Sequence, residues 1–180
     1  MATEIEKKYR LNAAQKASIS DALEEIGAEF AGADFEENIL YAGGELREKE
    51  AVLRLRRIGE RTILTYKQKV PGDFAAKHYL EHETEVADFE EIARVFESLG
   101  FRPALVYEKH RRTWKFKAVE IVLDTLPFGE FMEIEGPVTA IEEAEILLGA
   151  EDFEVEERTY PKLTRQYGRE NGELTEARFA

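Results

Sequence analysis

The sequence predicts an α+β fold of one domain, in which about eight strands alternate with helices. Three observations predict it. A Glu-x-Glu pair on a strand-like stretch, followed by a helical stretch that ends at a glycine, occurs at Glu4–Glu6, Glu83–Glu85 and Glu133–Glu135. Most strand-like stretches alternate charged and apolar residues, which places charge on one face of the sheet. No linker-like stretch divides the chain.

The composition excludes several classes of protein. The 180 residues suffice for one sizeable core, 43% of them are hydrophobic, and no apolar run approaches the ~18 residues of a membrane span. The net charge of −13, from 25 basic and 38 acidic residues, argues against a nucleic-acid polymer as partner. Without cysteine there is neither a disulfide framework nor a thiolate metal site, and the charged N-terminus does not resemble a signal peptide. We therefore expect a cytoplasmic protein with no membrane partner.

The first half of the chain predicts one helix and five strands. Asn12 is a suitable N-cap for a helix whose apolar stripe ends at Gly27. Gly59-Glu60 forms the turn of a hairpin, and Pro71-Gly72 ends the second strand of that hairpin. The predicted strands are Glu4–Leu11, Phe35–Tyr41, Val52–Ile58, Thr62–Val70 and His78–Val86.

The second half repeats this order. Asp88 and Glu91 have the spacing of a capping box, which begins a helix that ends at Gly100. Three strands and a short helix follow, so that one domain of two pseudo-symmetric halves spans residues 1–168. We expect a flexible tail over residues 169–180. The strands are Val106–Phe116, Val119–Asp124 and Phe131–Glu135, and the helix is Thr139–Leu148.

Two arrangements of these strands fit the alternation. An open sheet with one solvated face gives the same pattern, whereas a closed barrel would gather the charged side chains in its lumen. Buried charge of one sign alone would cost several kcal/mol per group, but acids and bases together suit a polyphosphate bound with Mg²⁺ or Mn²⁺. The acids are Glu4, Glu6, Glu83, Glu85, Asp124, Glu133 and Glu135; the bases are Lys8, Arg54, Arg56, Lys67, Lys109 and Arg111.

An ordered set of motifs resembles one known family. Glu4-x-Glu6-x-Lys8 matches the ExExK signature of the CYTH, or triphosphate tunnel metalloenzyme, superfamily. That signature alone is weak, but the motifs that follow it in order extend the resemblance from residue 4 to about residue 165. They are Leu53-Arg54-Leu55-Arg56, Thr65-Tyr66-Lys67, Glu83-Thr84-Glu85, Lys109-His110-Arg111, Leu123-Asp124 and Gly129 to Glu135.

The resemblance implies an eight-stranded antiparallel β-barrel that forms a tunnel, with helices packed on the outside. It implies that the six bases bind a triphosphate, that the seven acids coordinate Mg²⁺ or Mn²⁺, and that Glu4, Glu6, Lys8 and Lys67 take part in catalysis. One departure concerns the strand after the first helix. It reads Asn38-Ile39-Leu40-Tyr41-Ala42, where relatives often carry an acid after the aromatic residue, so its contribution is open.

Three functions remain open at this point. The family's members include inorganic triphosphatases, thiamine triphosphatases and class IV adenylyl cyclases, so the expected substrate is tripolyphosphate, ATP or thiamine triphosphate. We favour metal-dependent hydrolysis, because cyclisation of ATP also requires the site to hold the adenine. A module that binds polyphosphate without turnover is the third alternative, and a homodimer is compatible with all three.

Overall fold

The computed structural model describes residues 5–69 and 79–180, which divide into two compact units. Unit 1 consists of residues 1–35 and 109–159, and unit 2 consists of residues 36–108 and 160–180. Each unit therefore takes in two separate stretches of the chain. Of the residues predicted to form strands, Glu4, Val70 and His78 lie outside the described residues.

The described residues form one mainly antiparallel sheet and four helices. The eight principal strands follow the order β1-β8-β7-β6-β2-β3-β4-β5, so β1 and β5 are the ends of this path. No helix among the described residues is long and apolar enough to cross a membrane. The elements are β1 (Glu6–Leu11), α1 (Ala13–Glu25), β2 (Glu29–Ala42), β3 (Ala51–Ile58), β4 (Arg61–Lys69), β5 (Tyr79–Val86), α2 (Phe89–Ser98), β6 (Arg102–Phe116), β7 (Val119–Leu126), β8 (Gly129–Glu135), α3 (Val138–Leu147), α4 (Tyr160–Tyr167), β9 (Arg169–Asn171) and β10 (Leu174–Ala177).

Local sequence explains where the helices begin and end. Asn12 and Gln15 form a reciprocal capping box at α1, with both hydrogen bonds at 2.9 Å. The Asp88 side chain likewise accepts a hydrogen bond from a first-turn amide of α2. The three predicted helix stops are confirmed, because each of these glycines lies in the left-handed region just after a helix: Gly27 at φ 70°, Gly100 at 85° and Gly149 at 63°.

Each unit has a hydrophobic cluster on one face of its strands. In unit 1, α1 and α3 cover apolar residues of β1, β6, β7 and β8, and Trp114 is buried there. In unit 2, Phe96 of α2 covers Leu53, Leu55 and Tyr41. Since neighbouring residues of a strand point to opposite faces, the alternate side chains of the same strands lie on the face away from each cluster.

The C-terminal segment differs from the expected flexible tail. Residues 169–177 form β9 and β10, and β10 pairs in parallel with β6, where Ala177 lies opposite Tyr107. The registered pairing between β6 and β7 begins at His110, which leaves residues 105–107 of β6 as an edge that β10 covers. Arg178 then fixes the end of the chain, since its Nη1 lies 2.7 Å from Glu37 Oε1 and 2.8 Å from Glu108 Oε1.

Candidate functional site

The face of unit 1 opposite its hydrophobic cluster carries most of the predicted acids and bases. Strand register places Lys8 of β1 opposite Glu133 of β8, and Arg111 of β6 opposite Asp124 of β7. Glu135 lies between Glu6 and Glu120, which are its partners on the two neighbouring strands. We call this set the unit 1 charged face; its members are Glu6, Lys8, Arg10, Lys109, Arg111, Glu120, Asp124, Glu133 and Glu135.

Acids and bases of this face are paired with one another. Arg111 donates from Nε to Asp124 Oδ1 at 2.8 Å and from Nη2 to Asp124 Oδ2 at 2.5 Å, and the same Nη2 lies 2.8 Å from Glu133 Oε2. Lys8 Nζ lies 3.0 Å from Glu133 Oε1 and 3.7 Å from Glu6 Oε1, while Lys109 Nζ lies 3.4 Å from Asp124 Oδ2. Asp124 is 0% exposed, Lys109 3% and Lys8 6%, so these charges depend on their partners.

A segment after α3 adds two charged residues that the sequence analysis did not predict. Arg10 N donates to Glu154 O at 2.9 Å and Glu156 N donates to Lys8 O at 2.8 Å, which places this segment along β1. Hydrogen bonds from the Arg158 side chain, together with the nearby charge of Arg10, lower the pKa of the buried Glu156 carboxyl to about 2. The alternation Glu156-x-Arg158 was the available signal, but nothing in the sequence indicated its partner strand.

Unit 2 has a charged face of its own. Register places Arg54 of β3 opposite Thr65 of β4, which lies opposite Glu83 of β5, and places Lys67 opposite Glu81. Arg54 Nη2 donates to Thr65 Oγ1 at 3.2 Å, Thr65 Oγ1 donates to Glu83 Oε2 at 2.9 Å, and Lys67 Nζ lies 2.9 Å from Glu81 Oε2. We call this set the unit 2 charged face; its members are Glu36, Asn38, Arg54, Arg56, Thr65, Lys67, Glu81, Glu83 and Glu85.

Arg54 is the base of this face whose ion pair with a carboxylate is the longest. Its closest acid, Glu83, is 4.0 Å away, and its buried Nε has no hydrogen-bond partner in the described part of the chain. Burial, and secondly the like charge of Arg56, lower the pKa of the Arg54 guanidinium. The charge of the Arg54 guanidinium is therefore only weakly neutralised, which would favour binding of an anion beside it.

The strand whose contribution was open supplies two buried polar residues. Asn38 lies opposite Arg56 in the register, and Glu36 lies two residues before it on the same face of β2. Arg56 Nε donates to Asn38 Oδ1 at 3.2 Å, and Asn38 Nδ2 donates to Glu36 Oε2 at 3.3 Å. The signal for these residues was their spacing on a strand that precedes Leu53-Arg54-Leu55-Arg56, which the sequence analysis did not use.

The structure thus brings the predicted site residues into two sets. Glu6, Lys8, Lys109, Arg111, Asp124, Glu133 and Glu135 lie on the unit 1 charged face, and Arg54, Arg56, Lys67, Glu83 and Glu85 lie on that of unit 2. Glu85 is at an exposed position, 3.0 Å from Arg61, and Glu4 lies outside the described residues. Within residues 5–69 and 79–180, no three or more acids or histidines are grouped so that they could hold a metal ion.

A family match agrees with this arrangement. The model of the CYTH domain matches residues 2–162. The chain belongs to the CYTH domain family. The family assignment made from the motifs is confirmed, and so is the α+β fold with eight principal strands.

Several relatives share most of this chain. A Methanocaldococcus jannaschii protein named "Putative adenylate cyclase MJ0240" is 28% identical over 149 residues, which are 81% of this chain and 83% of that protein. The structure of the PH1012 protein from Pyrococcus horikoshii superposes with a TM-score of 0.74 at 28% identity, and the match covers 89% of this chain and 99% of the other. A Hippeastrum adenylyl cyclase homologue, whose structure is described as revealing a dominant triphosphatase activity, has a TM-score of 0.69 at 18% identity, and the match covers 91% of this chain and 96% of the other.

Proposed function

We propose that this CYTH protein is a divalent-metal-dependent phosphohydrolase that cleaves triphosphate compounds: inorganic triphosphate, a nucleoside triphosphate or thiamine triphosphate. One observation carries the proposal. On the unit 1 charged face, the buried bases Lys8 and Lys109 and the half-buried Arg111 are paired with the carboxylates of Asp124 and Glu133. Bases bind phosphate oxygens and carboxylates bind hard divalent cations, so this face has both kinds of group that a metal-bound polyphosphate requires.

The carboxylates of this face are oxygen ligands of the kind that Mg²⁺ and Mn²⁺ prefer, although no three of them among the described residues are grouped around one point. Glu133 and Glu135 lie two residues apart on one face of β8, with Glu6 directly opposite Glu135. Like charges in directly opposite positions destabilise a sheet, so a cation beside Glu6 and Glu135 would relieve their repulsion. We propose that Glu6, Asp124, Glu133 and Glu135 of unit 1, with Glu4, hold the ion. Glu83 and Glu85 are proposed ligands on unit 2.

The protein's own residues would then act in three ways. Lys8, Lys109 and Arg111 would exchange part of their carboxylate contacts for phosphate oxygens, which orients the chain of phosphates. Arg54, Arg56 and Lys67 are proposed to bind phosphate oxygens on the unit 2 charged face. On each face, the bases that bind phosphate would stabilise the negative charge that develops during transfer of the phosphoryl group. A bound Mg²⁺ or Mn²⁺ would supply Lewis-acid activation of a phosphate oxygen and of the attacking water.

The alternative function is that of a class IV adenylyl cyclase, which converts ATP to cyclic AMP and pyrophosphate. The name of the M. jannaschii relative favours it. Incubation with tripolyphosphate, ATP or thiamine triphosphate in Mg²⁺ or Mn²⁺, followed by assays of phosphate, pyrophosphate and cyclic AMP, distinguishes the two. We expect orthophosphate. Cyclic AMP with pyrophosphate would replace our proposal by the cyclase, and tight binding without any product would identify a non-catalytic polyphosphate-binding module.

A matched pair of variants tests the role of the unit 1 charged face. Lys8→Gln removes a buried ammonium group, yet Glu133 keeps its contact with Arg111 at 2.8 Å, so the fold should be retained. Lys117→Gln removes an equally charged group of the same unit that is exposed and paired with Glu143. We expect Lys8→Gln to lower metal-dependent turnover by more than about tenfold and Lys117→Gln to leave it unchanged. Equal activity of the two variants would contradict the proposal.

A further inference from the structure

Arg56 is held from one side only. Its recorded polar contacts among the described residues are both made by Nε, at 3.2 Å to Asn38 Oδ1 and 3.6 Å to Glu36 Oε2. The two residues that hold it are buried, with Asn38 0% and Glu36 3% exposed, and they are joined by their own 3.3 Å hydrogen bond. The Arg56 side chain is 21% exposed, so part of its guanidinium group is open to solvent.

The direction of these contacts determines which edge of Arg56 can bind a ligand. A guanidinium group presents a fork of donors, and its Nη1–Nη2 edge can engage two phosphate oxygens at once. In the described part of the chain, the polar contacts of Arg56 are made by Nε. Its Nη1–Nη2 edge is therefore the edge left for a ligand. Arg111 is different, since both its Nε and its Nη2 are already bound to Asp124.

We propose that Glu36 and Asn38 are positioning residues that fix the Nε edge of Arg56 and thereby aim its Nη1–Nη2 edge at a phosphate group of the substrate. Asn38 supplies the acceptor, and Glu36 orients the Asn38 amide and balances the charge of Arg56. This inference rests on the proposed function, because it takes a polyphosphate as the ligand. Both residues act through Arg56 and are not themselves catalytic.

The proposed geometry has a readout that requires no ligand. A hydrogen-bonded Nε–H exchanges slowly with water, so the Arg56 Nε–H signal should be visible in ¹H–¹⁵N NMR spectra of the free protein. Asn38→Ala should abolish or broaden that signal. Glu37→Gln is the matched control for Glu36→Gln, since Glu37 lies on the same strand but pairs with Arg57 and Arg178 instead. The control should leave the Arg56 signal unchanged.

Affinity for tripolyphosphate tests the functional consequence. We expect Asn38→Ala and Glu36→Gln to raise the Kd in EDTA, and the KM in Mg²⁺, by about tenfold, with kcat within about twofold of wild type. The same changes in an Arg56→Lys background should have no further effect, because lysine has no Nε edge to hold. Arg56→Lys keeps a positive charge near the buried Glu36 carboxylate, which favours folding of these double variants.

Each outcome decides one question. Loss of affinity in the wild-type background but not in the Arg56→Lys background supports positioning through Arg56. Equal loss in both backgrounds, or normal affinity of Asn38→Ala and Glu36→Gln, would overturn it. A wild-type protein that binds tripolyphosphate but releases no phosphate would refute the proposed hydrolysis while the binding comparison still tests the positioning. A wild-type protein that neither binds nor hydrolyses tripolyphosphate would refute both.

Discussion

Asp124→Asn is the substitution whose effect on stability can be worked out most directly. Asp124 is 0% exposed and balances two cations, Arg111 at 2.5 and 2.8 Å and Lys109 at 3.4 Å. Asparagine has nearly the same shape, so the change opens no cavity and removes only the negative charge. Arg111 would keep Glu133 as a counter-ion, but Lys109 would lose the acid closest to it among its recorded contacts.

The expected size follows from the cost of removing one partner of a buried ion pair. Breaking a buried ion pair by removing one partner costs about 3–5 kcal/mol. In a chain of 180 residues, 1 kcal/mol corresponds to a shift in Tm of about 2–4 °C, so we expect Asp124→Asn to lower Tm by roughly 6–20 °C. Thermal unfolding followed by circular dichroism at pH 7 measures this change.

An exposed ion pair of the same unit is the control. Lys117 Nζ lies 2.6 Å from Glu143 Oε1, as close as the pairs of Asp124, but both side chains are more than half exposed at 56% and 54%. Exposed pairs contribute about 0–1 kcal/mol, so Glu143→Gln should change Tm by at most about 4 °C. Equal shifts in the two variants, or an Asp124→Asn protein as stable as wild type, would refute the view that burial makes the Asp124 network important.

Three further outcomes are expected. The pKa of Glu156 is about 2 in the folded protein and near 4.5 in the unfolded chain. Its contribution to stability is therefore present above about pH 4.5 and is lost as the pH falls towards 2. Urea unfolding at a series of pH values should show that Glu156→Gln loses less stability over this range than wild type does. Glu6→Gln should lower metal-dependent turnover more than about tenfold with an unchanged Tm, because the Glu6 side chain is 54% exposed, and unchanged turnover would exclude a role as ligand. Deletion of residues 169–180 should lower the free energy of unfolding, measured in urea, by roughly 2–4 kcal/mol, because it uncovers the edge of β6 and removes the ion pairs of Arg178. Unaltered stability would show that β10 contributes little.

Local patterns made most of the fold predictable. Asn12, Asp88 and the glycines at 27, 100 and 149 determine helix ends through interactions within a few residues, so the sequence suffices to place them. The strand bounds were less accurate: β2 begins at Glu29 and β6 at Arg102, earlier than predicted. At β6 the added residue Leu105 pairs with Thr175 of β10, a strand distant in sequence, which periodicity does not reveal.

The C-terminal strand shows where local patterns fail. Residues Leu174–Ala177 have no marked apolar alternation, and their order comes from parallel pairing with β6 and from the contacts of Arg178. The candidate site was likewise predictable only in part. The face on which Lys8 and Arg111 lie was predictable from alternation, whereas their pairing with Glu133 depends on the register of β1, β7 and β8.

Shared carboxylates give the unit 1 charged face a consequence for binding. Glu133 contacts both Lys8 and Arg111, so the acids that stabilise the bases in the free protein are also the proposed ligands of the ion. A phosphate group that draws Arg111 or Lys8 away from Glu133 would release that carboxylate for a cation, and a cation on Glu133 would release the bases for phosphate. Because such coupling is reciprocal, each ligand should raise the affinity for the other by the same factor. The pairs that allow this face to fold without a ligand would therefore also favour binding of metal and polyphosphate together.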